Sequence, residues 1–189
     1  TRDEKYADTI KILGLHGMSI DAWKRFSDDG YKHYQVVYPG FKYNMMDLQA
    51  SIGIHQFKRV QKNWERRKDI WDVYNKAFQD VPVEIPASVE GNTKHAFHLY
   101  TILIDKERTG ISRDEFLEAM THENIGVGVH YRSILTHPYY QQTYKLNPED
   151  HPNSYYIGER TVSLPFSAKL TDQDVNDVIE AVRRVLGRG

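Results

Sequence analysis

The 189 residues contain no cysteine. That excludes a disulfide framework, thiolate metal sites and cysteine nucleophiles, and it fits a reducing compartment, so the chain is expected to be cytoplasmic. No apolar run approaches the roughly 20 residues that span a bilayer, and no charged-then-apolar leader opens the chain. Charge of one sign is also missing: 25 Lys+Arg against 26 Asp+Glu leave a formal charge of -1. No global field draws nucleic acid or an anionic membrane. There is no phosphate-cradling glycine loop ending in lysine, no dinucleotide fingerprint and no nucleophile elbow. Carboxylates are plentiful, yet none sits in an apolar setting that would raise its pKa. The residues alone supply binding groups and no catalytic centre.

What is present is a globular composition, 40% hydrophobic and 27% charged, in a length that suits one ordinary domain or one and a half small ones. Tyr6, Ile10 and Leu13 recur at helical spacing and predict a short helix over 3–13. Gly14 and Gly17 mark a turn. Residues 19–38 lack a clean period and read as a connecting excursion, with one helical turn at IDAWKRF. Next, Phe57, Val60, Trp64, Trp71, Tyr74 and Phe78 fall at steps of three, four or seven, which keeps one face of a helix apolar. Lys58, Lys62, Glu65, Arg66, Lys68 and Asp69 occupy the opposite face. Asn44 and Asp47 look like a capping pair, so the helix is predicted over about 45–79, near 50 Å at ~1.5 Å per residue. Pro82 and Pro86 end it.

Beyond Pro86 the texture becomes α/β. HAFHLYTILI, 95–104, reads as a strand. Ser112 and Glu115 stand at capping-box spacing before the helix ISRDEFLEAMTHEN, and Thr171 and Asp174 do the same before an amphipathic helix ending near Leu186. IGVGVHY, 125–131, reads as a glycine-broken strand, and TVSLP, 161–165, as a short one.

Three places carry candidate chemistry. His95 and His98 fall on opposite faces of a strand, a poor geometry for one metal; a half-buried, hydrogen-bonding His95 is the default. His130, Tyr131 and Arg132 end a strand and enter a loop, where α/β folds deliver functional side chains. Histidine can exchange a proton near neutral pH, and arginine pairs with phosphate oxygens. Spacing does not choose between that and a surface loop packed by Tyr139 and Tyr140. Lys42 and Asn44 precede the long helix, whose N-terminal amides favour phosphate. Taken alone, they read more simply as a solvated lysine and an N-cap.

In order, GFKYNMMDLQASIG, RRKDIWDVYNKAF, HAFHLYTILID, NIGVGVHYRS and SLPFSAKLTDQDVNDVIEAV resemble the DegT/StrS-type nucleotide-sugar aminotransferases across essentially the whole chain. KYN, GISRDEFLEAM and GVHYRS look most like the members that aminate a UDP-linked 4-keto-pentose. The resemblance implies a pyridoxal-phosphate enzyme of fold type I. It would move an amino group, usually from glutamate, onto a nucleotide-linked keto-sugar, and would act as a homodimer with no nucleic-acid or membrane partner. It further implies that residues 1–43 end the large cofactor-binding domain, 44–80 form a connecting helix and 81–189 form the C-terminal small α/β domain. Asn44 matches an asparagine that reaches across the dimer to the cofactor phosphate. Many relatives read NYR where this chain reads KYN, which leaves open whether Lys42 or Asn44 meets the phosphate. His130 and Tyr131 match a pair that approaches the sugar-nucleotide, and the charge of Arg132 suits the diphosphate.

The family's Schiff-base lysine lies in a serine-histidine-lysine segment upstream of the stretch that TRDEKYADTIKILGLHGM resembles, and no lysine here matches it. The chain lacks an initiator methionine and is expected to be a piece of a longer enzyme, inactive alone. Two other readings remain: a non-catalytic sugar-nucleotide-binding or regulatory module, and a generic α/β domain with structural His and Tyr.

Overall fold

The computed structural model describes residues 1–19 and 33–187. The predicted turn at IDAWKRF falls outside them. The chain forms two compact units, residues 1–58 and 59–189.

The first unit begins with α1 (Glu4–Gly14), capped by the Asp3 carboxylate, which accepts from the Lys5 and Tyr6 amides. A helix end leaves its last carbonyls without intrahelical partners. Here Phe41 N donates to Leu13 O at 2.7 Å and Tyr43 N to Gly14 O at 2.9 Å. The segment 41–43 is thereby laid against the end of α1. The crossing leaves no room for side chains: a Cβ on Gly17, whose φ is +71°, would stand 1.7 Å from Tyr38 O, and one on Gly40 would stand 2.0 Å from Gly17 N. Only glycine fits both constraints.

Helix α2 runs Asp47–Ala77, 31 residues, close to the predicted span. The predicted capping pair does not form. Asn44 lies three residues before the helix and accepts from Lys42 Nζ, while the Gln49 side chain takes the Met46 amide at 3.0 Å. The apolar stripe is buried only in its C-terminal half. Ile70, Trp71, Tyr74 and Phe78 are in the core of the second unit, whereas Phe57 is 79% exposed and Val60 50%. Arg66, predicted on the solvent face, is half-buried; it donates to Leu170 O at 2.7 Å and pairs with Asp172 at 2.8 Å. Arg183 occupies the helix end, donating to Ala77 O and to Asp80, each at 2.7 Å, as a cation suits a helix C-terminus.

The second unit is built on β1 (Thr101–Leu103) paired antiparallel with β2 (Thr161–Ser163), Ile102 opposite Val162. A single bridge extends each edge, Glu84 to Leu103 and Gly128 to Ser163. The predicted strand 95–104 thus shrinks to three residues. Phe97 takes φ +48°, a costly conformation for a bulky residue, and its amide bonds the His95 ring instead of a neighbouring strand. That bend buries the Phe97 ring beside Trp64 and Trp71. The predicted strand 125–131 likewise reduces to the one bridge at Gly128. Between β1 and β2 come α3 (Lys106–Thr109), α4 (Arg113–His122), α5 (Pro138–Tyr144) and α6 (Pro152–Arg160). Helix α7 (Asp172–Val185) follows and packs against α4.

Rings dominate the core. Trp71, Tyr74 and Phe78 meet Tyr100 at centroid distances of 4.9, 5.0 and 6.3 Å. Both buried phenols are satisfied: Tyr74 donates to Pro165 O and Tyr100 to Asn75 Oδ1, each at 2.9 Å. Burial pushes both phenols above their ordinary pKa, so they stay neutral donors.

The capping boxes of α4 and α7 form as predicted. Hydrogen bonds from the hydroxyl and amide of Ser112 hold the Glu115 carboxyl below its ordinary pKa, and those from the amide and hydroxyl of Thr171 do the same for Asp174. In acid the unfolded chain therefore binds more protons at these sites than the native chain, and stability rises with pH there. Urea denaturation against pH should be flat above about pH 5 and fall as pH drops below the ordinary carboxylate values of about 3.9–4.3. The Ser112→Ala/Thr171→Ala variant should show a shallower fall; an unchanged slope would contradict the capping assignment.

Candidate functional site

Two clusters hold the sequence-predicted groups, one in each unit. In the first, the hydrogen bonds from Phe41 and Tyr43 to the end of α1 fix the backbone on both sides of Lys42. The rings of Phe41 and Tyr43 stack at 4.9 Å, nearly parallel at 7°. Lys42 Nζ donates to Asn44 Oδ1 at 2.6 Å. Asn44 spends its carbonyl on the ammonium, so both its amide hydrogens remain available, beside the remaining hydrogens of Lys42. The pair presents a charged donor and amide donors just ahead of the N-terminus of α2. Beside it runs a groove of about 520 Å³ lined by Ile10, Leu13, Phe41, Tyr43 and Asn44, with Lys11 among its lining. Lys11 is paired with Asp8 at 3.2 Å; the Lys42 ammonium, an amide and a helix N-terminus fit a phosphate group.

In the second unit, β2 positions the histidine. Ser163 is buried. Its backbone exchanges hydrogen bonds with Gly128, at 2.7 and 3.1 Å, and its hydroxyl lies 2.9 Å from His130 Nδ1. A Cβ on Gly128 would come within 3.0 Å of His130 Cε1, so glycine here leaves space for the imidazole. The His130 and Tyr131 rings meet edge to face at 4.9 Å. Tyr131 is 77% exposed, and Arg132 has no hydrogen bond or ion pair among the described residues. A serine-anchored imidazole, an exposed phenol and a free guanidinium share one stretch of chain, a set able to bind hydroxyl and phosphate groups.

The far side of this loop is fixed by contacts that periodicity did not reveal. Ser133, immediately after Arg132, is buried and its hydroxyl meets Ser154 Oγ of α6 at 2.9 Å. A Cβ on Gly158 of α6 would stand 2.5 Å from Ser133 N. Buried Arg113 donates to Gly158 O at 3.1 Å, tying α4 to the same point. The glycine inside YIGER was the available signal, since a glycine within a helical pattern marks close backbone approach. Ser163 and Ser133 carried none. His95 takes its expected structural role, half-buried with Nδ1 accepting from Phe97 N at 3.0 Å.

Residues 1–183 match the DegT/DnrJ/EryC1/StrS aminotransferase family. The chain belongs to this family. It is 44% identical over 187 residues to the spore coat polysaccharide biosynthesis protein SpsC of Bacillus subtilis, covering 98% of this chain and 48% of that protein. An uncharacterised protein of Methanocaldococcus jannaschii is 43% identical over 186 residues, with the same coverage of 98% and 48%. The fold matches a Streptococcus pneumoniae protein described as a sugar aminotransferase, solved in a PMP form, with TM-score 0.77 and 28% identity over 100% of this chain and 45% of that one. The PLP form of that protein gives TM-score 0.78. The chain spans about half the length of the curated relatives it matches. Its architecture is that of part of a fold-type-I aminotransferase.

Two substitutions separate the supports of the loop. Gly158→Ala forces backbone apart and should destabilise by about 1–3 kcal/mol, read by urea denaturation, with displaced NMR resonances for Ser133 and His130. Ser163→Ala should cost less than about 1.5 kcal/mol yet change the His130 imidazole signals just as strongly. Unmoved His130 signals in both variants would contradict the proposed support.

Proposed function

We propose that this chain is the C-terminal portion of a pyridoxal-phosphate-dependent aminotransferase that moves an amino group from an amino acid, glutamate in this reading, to a nucleotide-linked keto-sugar. The observation that carries the proposal is the pair of preformed polar clusters, Lys42–Asn44 and His130–Arg132, in a chain whose family is that of sugar aminotransferases. In this reading residues 1–43 end the cofactor domain, 44–80 connect, and 81–189 form the small domain.

The cofactor, when bound, supplies the electron sink for the amino transfer. Lys42 and Asn44 hold its phosphate from a second subunit: the ammonium neutralises charge and the Asn44 amide fixes orientation. His130, aimed by Ser163, donates or accepts at a substrate hydroxyl. Tyr131 adds an amphipathic ring, and Arg132 pairs with the diphosphate. The lysine that bonds the cofactor lies outside these 189 residues, so the chain alone transfers no amino group. A homodimer is supported by the apolar surface of the first unit, where Tyr43 is 76% exposed and Leu48 71%; surface of that kind marks an interface. Among the described residues no helix is long and apolar enough to cross a membrane, and cytoplasmic location is part of the same reading.

Hydrogen bonds to charged groups are worth about 1.5–3 kcal/mol. In the intact enzyme Asn44→Ala should therefore weaken cofactor binding by roughly tenfold to a hundredfold, measured by equilibrium dialysis. His130→Ala should raise KM for the nucleotide-sugar and leave the half-reaction with the amino acid unchanged. Wild-type behaviour of both variants would remove the site assignment.

A further inference from the structure

His130 is held by one edge of its ring. Ser163 Oγ lies 2.9 Å from Nδ1. A Cβ on Gly128 would stand 3.0 Å from Cε1 and 3.5 Å from Nδ1, with no other ring atom within 4 Å. The Nδ1–Cε1 edge therefore faces the backbone that bridges to β2. The residue as a whole is exposed, and Nε2 has no hydrogen bond among the described residues.

The place of a ring proton is read from the hydrogen bonds around it. Ser163 is 5% exposed, and its amide and carbonyl are both engaged by Gly128. Among the described residues its hydroxyl has one partner, the imidazole. A neutral imidazole has one donor nitrogen and one acceptor nitrogen. If Nδ1 carried the proton, it would donate to Oγ, and the hydroxyl proton would be left in the interior without an acceptor. Turning the ring over puts a C–H against the same hydroxyl, with the same result. A buried donor without a partner costs more than an ordinary hydrogen bond gains. One arrangement satisfies both groups: Oγ–H donates to Nδ1, and the ring proton sits on Nε2.

We infer that Ser163 is a positioning residue that holds neutral His130 in the Nε2–H form, so that His130 meets a ligand as a hydrogen-bond donor and not as a base. This decides between donating and accepting at the substrate, and it rests on the nucleotide-sugar reading only for the name of the ligand. Arg132, two residues on, also carries donors and no acceptor. Together they suit a group rich in acceptor oxygens, a phosphate or a carbonyl. A ligand offering an N–H to His130 would set donor against donor and leave both without a partner.

Long-range proton–nitrogen NMR of the intact protein with labelled histidine tests this at about pH 8.5, where an imidazole is neutral. The His130 signals are those lost in His130→Gln. In the wild type Nε2 should resonate as the protonated nitrogen and Nδ1 as the acceptor. Ser163→Ala removes the donor to Nδ1, and the two nitrogen signals should move toward each other as the two forms mix. Tyr131→Leu takes away the ring contact and keeps the hydroxyl, so the separation should stay as in the wild type. Added UDP-N-acetylglucosamine should shift Nε2 with the proton still on it. A proton on Nδ1 in the wild type or in the ligand-bound protein would overturn the inference. So would an unchanged separation in Ser163→Ala, or the same narrowing in Tyr131→Leu. The predicted Nε2–H form with no response to UDP-N-acetylglucosamine would support the inference and count against the nucleotide-sugar reading.

Discussion

The packing of the α2 stripe against Tyr100 organises everything in the second unit. Fully burying a large apolar side chain is worth about 1.5–3 kcal/mol, and Ile70, Trp71, Tyr74 and Phe78 are all buried there. The phenols convert that non-directional gain into register. Tyr100 bonds Asn75 just ahead of β1, and Tyr74 bonds Pro165 just after β2, so both strands are indexed to one helix. From β2 the order passes to Ser163, and from Ser163 to Gly128 and His130. An exposed imidazole thereby inherits its orientation from a helix stripe far from it in sequence.

The same helix shows what a sequence can and cannot reveal. Periodicity tells which residues share a face; it says nothing of whether that face is covered. Trp64 to Phe78 and Phe57 to Val60 belong to one stripe, yet only the former meets a partner among the described residues. Capping boxes are local, and Ser112–Glu115 and Thr171–Asp174 were legible for that reason. Helices α5 and α6 were not, because each is short, although Pro138 and Pro152 at their first turns were start signals. The strand 95–104 read too long because β-rich composition cannot register that burying Phe97 turns the backbone.

The candidate site was legible in its reactive groups and illegible in its supports. His130, Tyr131, Arg132, Lys42 and Asn44 stood out by chemistry and by resemblance. Asn44 was open to reading as a cap, and the structure gives it to Lys42 instead. The hydroxyls of Ser163 and Ser133 act across 33 and 21 residues, beyond the reach of any local pattern, and of the supports only Gly158 left a local signal.

In the proposed reading these supports hold binding groups, and a lysine elsewhere bonds the cofactor. Borohydride reduction of the intact, cofactor-loaded protein, followed by peptide mass spectrometry, reads that division directly. The label is expected on a lysine outside residues 1–189 and on none within them. A label on Lys42, Lys11 or any other lysine of this chain would contradict it.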